Sequence, residues 1–182
     1  MSGTVEQSTL GGADRESVKR TAPDLITALK QAYSDLEFSR FQPNSGPAQD
    51  VVTVGPERLV ELAAFARDAG FEMFVDLCGV DYLRRDPRFE VVVTLLSLTP
   101  PARLRIKVPV SASRPSVPSL TGVYAGSNFY ERETYDLFGI DFPGHPDLSR
   151  ILLPDDWEGH PLRKDYAVGS VPVQFKDAPR SA

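Results

Sequence analysis

The stretch 71-FEMFVDLCGVDYLRRDPRFEVVVTLLSLTPPARLRIKVPV-110 decides the fold. It contains three runs rich in β-branched, aromatic and aliphatic residues, 71–82, 88–98 and 102–110, separated by RRDP and TPPA. Runs of this kind bounded by proline-bearing turns read as strands, and connections this short join antiparallel neighbours. In the third run Leu104, Ile106 and Val108 alternate with Arg103, Arg105 and Lys107. That period of two puts one face of the sheet in a core and the other in water. Cys78, inside the apolar FVDLCGV, is expected as a small buried hydrophobe.

Upstream, 56-PERLVELAAFARDAG-70 carries the clearest helical pattern in the chain. Pro56 suits a first helical position, Glu57 favours the positive end of the dipole, and Gly70 supplies a left-handed stop. Leu59, Leu62, Ala63, Phe65 and Ala66 form its apolar face. A second helix is expected from Thr21 onward, where Leu25, Ile26, Leu29 and Tyr33 recur at helical spacing. The turn cluster Pro43–Pro47 leads into a short β-type run at 50–54. Downstream, 127-SNFYERETYDLFG-139 reads as a helix of about ten residues with Ser127 as N-cap and Gly139 as C′. The expected fold is α+β, a two-layer sandwich of helices on a mostly antiparallel sheet with an extended C-terminal arm. The order of strands is not readable. The expected divisions are a disordered tail at 1–20, an α+β domain at 21–126, a signature helix and partner-wrapping arm at 127–170, and a tail at 171–182.

The bulk composition narrows the function classes. Net charge is −5 with a pI of about 5.1, which disfavours binding nucleic acid by counterion release. A single cysteine excludes an intrachain disulfide and any CxxC spacing, and a reducing compartment is the default. The most apolar run, 91–98, is far shorter than the ~20 residues of a spanning helix. The expected route to a membrane is therefore through a partner. No GxGxxG, GxxxxGK[ST], GxSxG or HExxH motif occurs.

Both histidines sit in Gly-His-Pro, at His145 and His160, with Asp147, Asp155, Asp156 and Glu158 nearby. A zinc or acid–base site is one reading of that cluster. Against it, neither histidine belongs to an i, i+3 or i, i+4 helical pair, and each is biased to extended backbone by the following proline. The favoured alternative is a pair of stiff corners whose imidazoles bond carbonyls or carboxylates. The helix at 127–139 packs Glu131, Arg132, Glu133 and Asp136 into six residues, read as a partner-facing ion-pair network. From Glu131 to Tyr166 there are nine acidic and four basic residues, a net −5 that equals the charge of the whole chain. An acidic, apolar-studded arm suits a basic groove on another protein, with Trp157, Tyr166, Arg150 and Arg163 as the residue types that carry interface energy.

The run 129-FYERETYDLFGIDFPGHPDLSRILLPDDWEGHPLRKDY-166 closely resembles the signature of the 30-kilodalton subunit (the C type) of respiratory complex I. Upstream GVDY, RFEVVVTLLSL, RLRIKV and SVPSLT are similar to that family in the same order, so the resemblance spans roughly residues 22 to 175. It implies a core subunit of the peripheral arm of a proton-translocating NADH–quinone oxidoreductase, enzymatic only as part of the complex. It implies no catalytic, cofactor-binding or metal-binding residue in this chain. Iron–sulfur clusters, FMN, NADH and quinone would be held elsewhere in the complex. Expected partners are other complex I subunits, chiefly the 49-kilodalton-type (D-type) one and also the B-type and I-type ones, on the cytoplasmic side of the cell membrane. The expected partner-binding residues are Glu131, Arg132, Glu133, Asp136, His145, Asp147, Arg150, Trp157, His160, Arg163, Lys164 and Asp165. Gly139, Pro146, Gly159 and Pro161 complete the signature. Three departures stand out: Phe129 where the family often has tryptophan, Ser149 where arginine is common, and no proline directly after Tyr166. The alternatives are the equivalent subunit of a membrane-bound hydrogenase or of a ferredoxin- or F420-driven complex, or a free-standing His/Asp metal-dependent enzyme.

Overall fold

The computed structural model describes residues 21–167. The tails expected at 1–20 and 171–182 lie outside the described residues. Helix α1 (Ala22–Ala32) opens at Thr21, whose backbone N–H donates to the Asp24 carboxylate at 2.6 Å. Strands β1 (Phe38–Phe41) and β2 (Gln49–Thr53) follow, then a 3-10 turn at Pro56–Arg58 running into α2 (Leu59–Ala69). The three decisive runs become β3 (Met73–Asp81), β4 (Phe89–Leu98) and β5 (Pro101–Val110), and α3 spans Ser127–Phe138. The expected α+β two-layer arrangement is found. Strand β1 was not anticipated, because FSRF is four residues long and mostly exposed, so no alternation marks it.

The five strands run in the order β1-β2-β5-β4-β3. All neighbours are antiparallel except β2 and β5, which pair in parallel with Val52 opposite Ile106. The parallel pair arises because the chain crosses from β2 through α2 and the β3–β4 hairpin before β5 inserts between β2 and β4. The alternation read in β5 holds: Leu104, Ile106 and Val108 are fully buried, with Val91, Val93 and Leu95 of β4 on the same face. Against that face pack Leu25 and Leu29 of α1 and Leu59, Leu62, Ala63 and Ala66 of α2. Val117, Leu120, Ile140 and Phe142 extend the same core, so the loop before α3 and the first residues after it are part of the packed body.

Cys78 corrects its expectation: it is exposed. Leu77 occupies the core position on β3, and its neighbour must point to the opposite face. Desolvation by the surrounding sheet still pushes the Cys78 thiol up, aided by the Asp76 carboxylate, which makes it a weak nucleophile at neutral pH.

Helix α3 lies over β3 at Gly79, where a Cβ would stand 2.8 Å from the Phe138 ring. Gly79→Val is therefore expected to destabilise the chain by about 1–3 kcal/mol through overpacking. Gly122→Ala, whose methyl meets no atom within 4 Å, is expected to stay near wild type in the same denaturant titration.

Candidate functional site

The candidate site is the underside of α3 together with the segment that follows it. Ser127, expected as N-cap, is instead the first helical residue, and Gly126 occupies the cap position. The Ser127 hydroxyl is used by Glu131: it donates to Oε1 at 2.7 Å, and the Leu120 N–H donates to the same atom at 2.7 Å. Glu131 is fully buried and ties the preceding loop to the helix.

Asp136 is also fully buried. Its Oδ2 accepts the N–H groups of Ile151, Leu152 and Leu153 at 3.1, 2.8 and 2.9 Å, and its Oδ1 accepts Arg150 Nη1 at 2.8 Å. Successive N–H groups converging on one oxygen form an anion nest. Burial pushes the Asp136 carboxyl upward, but these four donors outweigh it and hold the carboxyl below the usual carboxylate range. Alongside, Arg132 donates to the Ser149 and Arg150 carbonyls and to the Ser149 hydroxyl at 3.0–3.1 Å. Ser149 is thus a direct acceptor through both its carbonyl and its hydroxyl.

The C-terminus of α3 is finished by the same segment. The last carbonyls of a helix lack intrahelical partners. Here His160 Nδ1 donates to the Asp136 carbonyl at 2.9 Å, the Leu162 N–H to Leu137 at 3.1 Å, and Arg163 Nε to Phe138 at 2.6 Å. Gly139, with φ of 65°, caps the helix in the left-handed region. A Cβ there would collide with His160 Nε2 as well as require that strained φ. The guanidiniums of Arg150 and Arg163 lie at the negative end of the dipole. Burial, opposed by the bond to Asp136 and aided by these two cations, lowers the His160 pKa, so the imidazole is neutral at pH 7.

His145 serves the other end of the helix. Its Nδ1 accepts the Asp147 N–H at 3.0 Å, which leaves Nε2–H to donate to the Asn128 carbonyl at 3.1 Å. The two Gly-His-Pro corners therefore hold opposite ends of α3. Among the described residues no group of three or more His, Cys, Asp and Glu side chains is placed to hold a metal ion.

A final contact ties the segment to the sheet. Arg88 bridges Asp81, at 2.7 and 2.9 Å, and Asp165, at 2.7 and 2.8 Å, while the Lys164 N–H donates to Asp81 at 2.8 Å. Arg88 holds the Asp81 carboxyl well below its usual range. Sequence reading missed Asp81 and Arg88, because partners so distant in the chain leave no local spacing to find.

The partner-facing network expected on α3 is corrected for Glu131 and Asp136: this chain buries both, supplies donors to both oxygens of Asp136 and to Oε1 of Glu131, and leaves Glu131 Oε2 without a hydrogen bond. Arg132, His145, Arg150, His160 and Arg163 are half-buried fasteners of the arm. Lys164 and Asp165 are exposed but take part in the Arg88 contact, Asp147 and Glu133 are exposed, and Trp157 is half-buried.

Residues 52–171 match the family described as respiratory-chain NADH dehydrogenase, 30 Kd subunit. An NADH-quinone oxidoreductase subunit of the C type from Roseiflexus sp. (strain RS-1) is 57% identical over 163 residues, covering 88% of this chain and 86% of the relative. One from Salinispora tropica is 50% identical over 159 residues, covering 85% of this chain and 65% of the relative. The solved trypsin-resistant fragment of Nqo5 superposes with a TM-score of 0.59 at 35% identity, over 68% of this chain and 98% of the fragment. A component of an archaeal membrane-bound sulfane sulfur reductase superposes with a TM-score of 0.68 over 88% of this chain and 98% of its own. At 16% identity that likeness shows shared fold alone.

Asp136→Ala leaves Arg150 and three N–H groups without their acceptor and is expected to cost about 3–5 kcal/mol in denaturant titration. Asp81 and Asp136 both titrate below the unfolded carboxylate value of about 3.9. Between the depressed and ordinary values the unfolded chain binds more protons. Their stabilisation is therefore complete above the ordinary range and is lost as pH falls through the depressed folded values. Acid unfolding followed by circular dichroism should show this slope, and Asp81→Asn should flatten it while lowering stability at pH 7.

Proposed function

The chain belongs to the 30-kilodalton subunit family of respiratory-chain NADH dehydrogenase, and from this we propose that it works as a framing subunit of the quinone-reducing module. It is a component of the peripheral arm of an NADH–quinone oxidoreductase, and the enzyme is the complex. Other complex I subunits are its partners. The finer proposal is that residues 127–170 form the arm that meets the 49-kilodalton-type subunit, with the B-type and I-type subunits adjacent, on the cytoplasmic side of the membrane. Among the described residues no helix is long and apolar enough to cross a membrane, and attachment is proposed to run through those partners.

One observation carries this reading. The histidines, arginines and aspartates of the signature are mostly taken up by contacts within the chain: His145 with Asn128 and Asp147, His160 with the Asp136 carbonyl, Arg150 with Asp136, and Arg163 with Phe138. Side chains so engaged position a stiff surface, and electron carriers are proposed to lie in the neighbouring subunits. The free-standing metal-enzyme alternative would need these same imidazoles for ligation.

Purification of the tagged full-length protein from host membranes at native expression level is the direct test. The expected outcome is co-recovery of the 49-kilodalton-type subunit with NADH–quinone reductase activity, FMN and iron. Recovery of the protein alone, with stoichiometric metal and activity of its own, would refute the proposal. Co-recovery with a hydrogenase module in place of an NADH-oxidising one would move the chain to the related complexes.

A further inference from the structure

The signature's histidines and arginines, with Glu131 and Asp136, are turned inward, while several apolar side chains face outward. Phe129 is 62% exposed, Leu152 61%, Leu162 49% and Ile151 37%. These four flank a single helix face. Phe129, Glu133 and Leu137 follow one another at i, i+4 and i+8 along α3, which places them in one stripe. On one side of the stripe an open groove of about 420 Å³ is lined by Phe129, Tyr130, Glu133, Ile151 and Leu152. On the other side a narrower groove of about 170 Å³ runs between Glu133, Leu137 and Leu162 and the outer edge of β3 at Cys78 and Gly79. Glu133 is shared by both grooves.

Glu133 is the one signature acid of α3 that is exposed. Among the described residues its carboxylate makes no hydrogen bond or ion pair, whereas Glu131 Oε1 and both oxygens of Asp136 accept donors from this chain. The Ile151 and Leu152 N–H groups are fixed on Asp136 while their side chains remain exposed. A contiguous apolar patch of this kind on a folded surface marks an interaction site. The unpaired carboxylate at its centre defines the charge its partner must bring.

We infer that the Phe129–Glu133–Leu137 stripe with Ile151, Leu152 and Leu162 is the docking face for another subunit of the complex. Its occupant is an apolar segment that places a lysine or arginine against Glu133. This inference rests on the membership in a complex set out under Proposed function. It assigns the contact to residues outside the charged signature, Glu133 excepted. The buried acids and the half-buried arginines then act as positioning residues that present the face.

The test installs a photo-crosslinking phenylalanine analogue at position 129 or 152 of the tagged full-length protein in its host, and identifies crosslinked peptides by mass spectrometry. Both positions are expected to capture a subunit of the same complex, in a peptide with apolar residues and at least one lysine or arginine. In parallel, Leu152→Asp and Glu133→Lys should melt with wild type while recovering less of that subunit, on the order of tenfold for a central contact. Capture of a second copy of this chain, capture of a peptide without a basic residue, or wild-type recovery by both variants overturns the docking face and leaves the family reading intact. Failure of the wild-type protein to recover any subunit of a complex overturns the reading itself.

Discussion

The carbonyl groups at the end of α3 are the constraint on which the rest of the arm depends. A helix that stops leaves its last acceptors open, and burial without partners would be costly. This chain closes them with residues 160–163, supplied after a long excursion, so that the cap is also the arm's anchor. Asp136 completes the arrangement from the other direction. Its carbonyl is capped by His160 while its carboxylate gathers three backbone N–H groups and Arg150. One residue thereby fixes two separated points of an otherwise irregular segment.

The apolar core thins along this path, where Leu148 packs against it only partly buried. Among the described residues no hydrophobic side chain after Phe142 is fully buried, so polar contacts set much of the arm's course past that point. Buried ion pairs often contribute little net stability against an apolar alternative, but removing one partner is severe. In a segment rich in proline and glycine such contacts select one conformation among many. The Arg88 bridge between Asp81 and Asp165 does the same at the far end, joining the arm to the turn end of β3. Three fastenings, at α3's two ends and at the sheet, leave the outward side chains of Ile151, Leu152 and Leu162 in defined places.

Much of the body was legible in the sequence. Alternation in β5, the capped pattern of α2 and the glycine stop of α3 report local physics, and local physics is what a single sequence records. Non-local choices were not legible. The insertion of β5 between β2 and β4 depends on pairing across the whole sheet, and β1 is too short to carry a period. Cys78 was misplaced because an apolar run on a strand does not say which alternate residue faces the core. Glu131 and Asp136 were expected outward because the backbone donors they accept, Leu120 and Ile151–Leu153, come from segments with no periodic signal. The histidine corners were foreseen as carbonyl-bonding elements. That each would grip a different end of one helix emerged only in three dimensions.

The central claim is that the arm is a folded part of this chain, held by Asp136 and the α3 cap before any partner arrives. Amide hydrogen exchange of the isolated full-length protein, read at Ile151, Leu152 and Leu153, addresses it most directly. The account predicts exchange slowed well below the rate of an open chain at all three amides, in step with Leu162. Exchange at open-chain rates there, with β4 and β5 still protected, would contradict it and make the arm a segment ordered only by its partner.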